Sequence, residues 1–408
     1  MKCQVCHESD LITVIDLGML PLVNSLPLQS NTGPDDCHEI SIVQCANCTL
    51  VQLASFPSMP EIFPDDYPYL SGLTPPLLEN FAEQAKLVSE FMSTKNSKLV
   101  FRVLDIGSND GSLLSYYQEL GHRAIGIEPT SAAHIANSNG IETIKDYFDV
   151  HSAKAAMAIT GELDVVTATN VFAHIPEPLK IVENISEILS SEGIFVSENH
   201  YFVDLINSLQ IDTIYHEHLR YYTLTSVSNL LASRGFEVFR VQKIGSHGGS
   251  IRVWSARKGV YPIEDSVNKM KQTEFNQGFV DGSYIKKLQE DVSQWRIKIR
   301  ALISEVRTSG GTIAGIGAPS RAVTLLTYVG LNREDIACIG EKTGSKKIGK
   351  RIPTTKIPIV DESEALSMRP SHLLLLSWHI KDSLIPILRK KGFSGKYIIP
   401  LPLPTIID

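Results

Sequence analysis

The chain has 408 residues, 43% hydrophobic and 20% charged, with a mean hydropathy of +0.01, a profile that excludes disordered and fibrous classes. That length points to two or three domains. No apolar run approaches the roughly 18 residues of a membrane span. The opening MKCQVCHESD lacks the basic and apolar regions of a signal peptide, so a cytoplasmic location without a membrane partner is expected. Thirty-eight Lys and Arg stand against 45 Asp and Glu, a net charge of −7, which argues against a nucleic-acid partner.

Five of the six cysteines fall within the first 48 residues. Cys3 and Cys6 form CQVC, and Cys45 and Cys48 form CANC. Each knuckle can present two thiolates from one side of a tight turn, and two knuckles complete a tetrahedral, structural zinc site. The long insert between them exceeds that of a common zinc ribbon and must form its own loop or hairpin. Cys37 has no C-x-x-C partner and is left over.

The run FRVLDIGSNDG (101–111) passes from a β-rich segment into a glycine turn. LLSYYQEL follows with a helical pattern, and RAIGIEP reads as the next strand. Strand, glycine loop, helix and strand ending in an acid make a nucleotide-binding unit of an α/β sheet. Asp105, Gly107, Asn109 and Gly111 form D-x-G-x-N-x-G, not the dinucleotide G-x-G-x-x-G. An acid before the first glycine would repel a pyrophosphate but suits a ligand carrying an ammonium group. The pattern resembles the first motif of S-adenosylmethionine-dependent methyltransferases. Glu128 then stands where a carboxylate accepts ribose hydroxyls, and Asp146, Tyr147 and Phe148 follow the third strand, placed to flank an adenine. The fourth strand, LDVVTATNVFAHI, carries Asn170 and His174 to the carboxyl edge where ligands of such sheets gather, facing cofactor or substrate.

Further on, TIYHEHLRYYT (213–223) crowds Tyr215, His216, Glu217 and His218 together. An extended chain would put Tyr215 with Glu217 on one face and the two histidines on the other. A helix would join Tyr215 to His218. General acid or base use is expected. HGGSIRVW (247–254) suggests a close backbone approach, with His247 and Arg252 as phosphate or sugar contacts. After a charged helical run (284–306), GTIAGIGAPSR opens a second strand-to-glycine-loop unit without the preceding acid. Arg321 in that loop and the basic GSKKIGKR loop are candidate phosphate holders.

Taken together, CxxC…CxxC, PLVNSL (21–26), YPYLSG (67–72), VLDIGSNDGSLL, TNVFAHI, IYHEHLRYYT and HGGSIRVW resemble the sugar C-methyltransferase family, in order and across the whole chain. Its best-known members methylate carbon 3 of thymidine-diphosphate 4-keto-deoxysugars. The resemblance implies that His218 is the proton-abstracting base, with Tyr215 and Glu217 beside it. It further implies that Asn170, His174 and Tyr69 lie on the substrate side. The family commonly has Lys where Arg321 stands and Asp in place of Glu341. The expected fold class is α/β: a zinc-binding module over 1–65, a Rossmann-like S-adenosylmethionine-dependent domain over 66–255 and a second doubly wound domain holding the nucleotide-diphosphate sugar over 256–408. Sugar O-methylation, an RNA base methyltransferase and a non-catalytic nucleotide-sugar binder are the alternatives. The RNA reading is weakened by the acidic charge and the missing N-P-P-[YF] motif.

Overall fold

The computed structural model describes every residue except 64–69, 74, 96 and 97, and gives only the backbone at Leu73 and His247. It builds three sheets. In the first, β1 (Leu11–Leu20) and β2 (His38–Cys45) pair antiparallel, so the insert between the two cysteine knuckles folds as a hairpin. β3 (Val51–Leu53) extends that sheet.

The central sheet follows from short apolar segments rich in Val and Ile, buried on both faces as parallel strands require. In chain order these are β4 (Arg102–Ile106), β5 (Arg123–Ile127), β6 (Thr143–Ile144), β7 (Leu163–Thr169) and β8 (Leu189–His200). β9 (Arg220–Tyr221) leaves this unit and pairs with β3, so the first sheet has the order β1-β2-β3-β9. β10 (Phe236–Ile244) and β11 (Ser250–Arg257) close the central sheet as β10-β11-β8-β7-β4-β5-β6. Pairing is parallel from β6 to β8 and antiparallel at β11 and β10. Strand order reverses at β4, which opens a crevice at the carboxyl ends there.

The third sheet comprises β12 (Ile313–Ile316), β13 (Ile339–Glu341), β14 (Ile359–Asp361), β15 (His372–Leu375), β16 (Lys396–Ile399) and β17 (Thr405–Ile407), in the order β14-β13-β12-β15-β16-β17. All are parallel except β17. The helix Tyr284–Thr308 runs ahead of it. Leu288, Val292, Trp295, Ile299, Ile303 and Val306 recur every three or four residues along it and are buried, which makes one apolar stripe.

The three units share one continuous apolar core, with a second beneath the helix Pro75–Lys95. Polar ties cross the boundaries as well. Arg351 forms a two-point ion pair with Asp35 at 2.8 and 2.9 Å, and Gln44 donates to the Phe279 carbonyl at 2.9 Å. Glu274 accepts from the Leu224 and Thr225 amides at 2.6 and 2.8 Å, and from the Tyr201 hydroxyl at 3.0 Å. Among the described residues no helix is long and apolar enough to cross a membrane.

Candidate functional site

The cysteine knuckles converge as their spacing predicts. The Sγ atoms of Cys3, Cys6, Cys45 and Cys48 all lie within 4.8 Å of one another. Cys3 and Cys48 are 3.4 Å apart, and Cys6 and Cys45 are 3.5 Å apart. A tetrahedral zinc with bonds of about 2.3 Å needs sulfur–sulfur distances of roughly 3.8 Å, so the set fits the ion after a small expansion. Four protein ligands leave no open position, which makes the zinc structural. Cys37 stays outside the group, its thiol against the Asp35 carbonyl.

At the crevice, Gly107 adopts φ +67° and Gly111 φ +80°. A Cβ on Gly107 would come within 2.5 Å of Val171, so only glycine lets this turn pass. Glu128 lies at the end of β5 with both oxygens already oriented. One accepts from the Asn109 amide at 3.0 Å, the other from the Thr130 amide and hydroxyl at 2.9 and 2.6 Å. Asn170, just past β7 at φ +57°, buries a side-chain oxygen that has no hydrogen-bond partner among the described residues. A donor on a bound ligand would satisfy it.

These groups open onto a cavity of about 550 Å³ between the three units, lined also by Gly107, Tyr147, Phe148, His174, Tyr215, Glu217, His218 and Arg321. The residues that could hold S-adenosylmethionine therefore fit it: a glycine turn, a pre-oriented carboxylate after the second strand, two aromatic rings and an orphaned acceptor. Asp105, Gly111 and Asp146 lie outside the lining. Asp105 is buried behind the loop, where it accepts from the Thr167 hydroxyl at 2.6 Å. Burial pushes its carboxyl up to about 7, against the pull of that hydrogen bond. Asp146 is exposed and accepts from the Tyr147 amide at 2.8 Å.

The His-Glu-His run is neither extended nor helical. A 3-10 turn, Ile211–Thr213, leads into a second turn at residues 215–217. This points Tyr215, Glu217 and His218 into the cavity and sends His216 toward the cysteine module, its ring centroid 5.6 Å from that of His38. Nδ1 of His218 lies 2.7 Å from the Thr213 carbonyl. A carbonyl only accepts, so the ring proton sits on Nδ1 and the basic lone pair on Nε2. The Tyr215 ring lies over His218, with centroids 4.2 Å apart. His174 donates from Nδ1 to the Glu217 carbonyl at 2.5 Å, and its ring is 5.0 Å from that of His218. The Glu217 carboxylate accepts from Asn24, whose own oxygen accepts from Ser320 at 3.0 Å. One hydrogen-bonded chain thus joins all three units at the cavity.

Some lining residues were not anticipated, His200 and Asn199 among them, and Lys347 was anticipated only as one of the basic GSKKIGKR loop. His200 ends β8 with its ring 5.0 Å from His218, and Asn199 precedes it. Their position at the carboxyl end of a strand was the signal for them. Lys347, from the GSKKIGKR loop, donates to the Ala318 carbonyl at 2.6 Å. Burial lowers its pKa, against the attraction of Glu341 and Glu217.

Arg252 corrects the expectation of a phosphate or sugar contact. It is 1% exposed and outside the cavity lining. Its guanidinium bonds Glu198 at 2.5 Å and the Asn80 side chain at 2.9 Å, which neutralises the carboxylate inside the sheet. Arg321 reaches the cavity wall, yet its guanidinium is engaged with Asp212 at 2.9 and 2.8 Å. Tyr69 lies outside the described residues, as does the side chain of His247.

A seven-stranded sheet of this order, with its glycine turn and acid at the crevice, defines an S-adenosylmethionine-dependent methyltransferase carrying a zinc module. Family models match accordingly: a zinc binding domain at residues 3–63, a methyltransferase domain at 75–241 and a C-methyltransferase C-terminal domain at 245–402. The chain belongs to the C-methyltransferase family. It is 30% identical over 413 residues to C-methyltransferase NovU of Streptomyces niveus, covering 100% of this chain and 97% of that one. A ubiquinone biosynthesis O-methyltransferase of Colwellia psychrerythraea is 24% identical over 32% of this chain and 54% of its own. Among solved structures, the plantazolicin methyltransferase BpumL aligns with 44% of this chain and 85% of its own, at 16% identity and a TM-score of 0.36.

Proposed function

We propose that this C-methyltransferase acts on a nucleotide-diphosphate 4-keto-6-deoxysugar and methylates the ring carbon beside the ketone, carbon 3. The observation that carries the reading is His218, with its proton fixed on Nδ1 and Nε2 turned basic, in a cavity bounded by the cofactor turn on one side and the third unit on the other. When bound, S-adenosylmethionine supplies an electrophilic methyl group; Glu128 orients its ribose, Tyr147 and Phe148 its adenine, and Gly107 and Asn170 its remainder.

A proton beside a ketone is acidic because the resulting anion spreads onto the oxygen. A base of near-neutral pKa is then sufficient, and His218 removes the proton. Tyr215 stands where its hydroxyl can donate to the enolate oxygen, which stabilises charge only as it develops, whereas His174, its Nδ1 proton engaged by the Glu217 carbonyl, donates there only as the imidazolium. Glu217, fixed by Asn24, binds a sugar hydroxyl. At the far end, Lys347 and the start of the helix Ser320–Val329 give the positive environment that a diphosphate requires. Positioning does much of the rest, and a cavity of about 550 Å³ suits it.

The test is incubation of the enzyme with thymidine- and guanosine-linked 4-keto sugars in deuterium oxide, with and without S-adenosylmethionine, read by mass spectrometry and proton NMR. Deuterium at carbon 3 without the cofactor, and a methyl there with it, are expected. A methyl on oxygen without exchange would overturn the enolate route, and silence on both carriers would overturn the substrate class.

A further inference from the structure

We infer that Arg321 is a positioning residue for the His218 base, through which the third unit aligns the reaction, and is not a ligand of the nucleotide. The inference rests on the reading of His218 as base. His218 takes its orientation from the Thr213 carbonyl, and Thr213 is the last residue of the short turn Ile211–Thr213. A single 3-10 turn has little rigidity of its own. Its anchor is Asp212, 0% exposed, whose carboxylate is held almost wholly by the third unit. Arg321 donates to it from Nε and Nη2 at 2.9 and 2.8 Å, and Trp378 donates from Nε1 at 2.9 Å.

The same guanidinium fixes Gln210, the residue that precedes the turn. Arg321 Nη2 donates to the Gln210 side chain at 3.0 Å, while the Gln210 carbonyl accepts from the Thr213 amide and hydroxyl at 3.0 and 2.7 Å. Arg321 thus grips the turn at two points, Gln210 and Asp212, both on the amino-terminal side of Thr213, which bears the carbonyl. Its guanidinium lies over the Trp378 ring, 5.2 Å from the centroid, and Nη1 meets His379 at 3.2 Å, so every nitrogen of the fork is already engaged within the protein. A planar, two-pronged cation is what such a grip needs, and a lysine ammonium in its place would supply only one prong. If the grip loosens, the imidazole loses its fixed angle. Misplacement by about 1 Å costs on the order of a hundredfold in rate.

The experiment compares wild type with Arg321→Lys, Arg321→Gln and Asp212→Asn in the deuterium-exchange and methyl-transfer assays. Circular dichroism and S-adenosylmethionine binding serve as controls of folding. Positioning predicts that exchange and kcat fall together by about tenfold to a hundredfold in Arg321→Gln and Asp212→Asn. KM for the nucleotide sugar should stay within a few-fold, and the acidic limb of the kcat/KM pH profile should shift as the tautomer is freed. Arg321→Lys should recover part of kcat. Should Arg321→Gln fail to fold, Arg321→Lys and Asp212→Asn carry the same comparison. A rise in KM with exchange and kcat intact would make Arg321 a nucleotide ligand and overturn the inference, as would unchanged kinetics in all three variants. Absence of exchange in the wild type would instead defeat the base reading itself.

Discussion

His218 is held by three different kinds of contact: a carbonyl at Nδ1, the face of Tyr215 over its ring and two imidazoles, His174 and His200, each 5.0 Å away. The carbonyl sets the tautomer, and the aromatic face limits rotation. Replacing His218 with Ala deletes the proposed base without disturbing Glu128 or the Gly107 turn. Turnover should fall by roughly 10²–10⁴, while S-adenosylmethionine binds as before, which calorimetry and a turnover assay would read together. Turnover preserved within a few-fold would sink the assignment. At this scale the sequence was informative where residues cluster: the His-Glu-His run and the glycine turn were both visible as motifs. His200 was not, because a lone histidine at a strand end carries no local pattern, and Lys347 was legible only as one of several basic residues in a loop already singled out. Only the packing of three sheets selects them. Arg252 misled for the converse reason, since an arginine in a strand reads as a contact until the buried Glu198 opposite is known.

Elements explain why the crowded run defied both of its sequence-level alternatives. Local alternation or helical spacing would govern an isolated peptide, yet here each end is held from outside. Upstream, the turn Ile211–Thr213 is gripped through Asp212; downstream, β9 is drawn out of the central unit to pair with β3 of the cysteine module. The chain between must turn, and that turn divides His216 from His218. Strand pairing between units separated by more than 150 residues leaves no trace in local periodicity, whereas the two C-x-x-C knuckles state their geometry outright. The zinc module therefore does more than cap the chain: β3 follows directly on the Cys45–Cys48 knuckle and is the strand on which β9 is seated. Replacing Cys45 with Ser, or stripping the metal with a strong chelator, should lower bound zinc, yield and melting temperature together. The fraction that stays folded should keep the wild-type pH profile, because no thiolate touches the reaction. A changed profile with full zinc content would show that the module enters the chemistry. Metal analysis beside a pH–rate curve distinguishes the two.

For the molecule as a whole, the joint between module and central unit carries a pH-dependent component that the sequence hid inside the same motif. His216 is 1% exposed and packs edge-on against His38. Burial first, and the charge of His38 second, push its ring down to about 4 from an ordinary 6.5. Above pH 6.5 the ring is neutral in both folded and unfolded chains and contributes no pH dependence. Below it the unfolded chain takes up a proton that the folded chain refuses, so stability falls as the pH drops toward 4, by roughly 3 kcal/mol over the window. Asp105 acts with the opposite sign: its folded carboxyl holds a proton up to about 7, so it costs stability as the pH rises from about 4 to 7. The two slopes oppose each other in the wild type, and a single melting curve against pH would show little. Replacing His216 with Phe removes one of them. The difference in unfolding free energy between the two proteins should be flat above pH 7 and move by about 2–3 kcal/mol in the variant's favour between pH 6.5 and 4.5. Denaturant titrations at half-unit steps of pH measure it. Parallel curves would mean that the ring takes up its proton in the joint as readily as in the unfolded chain, and a difference of the opposite sign would mean that it is already charged there.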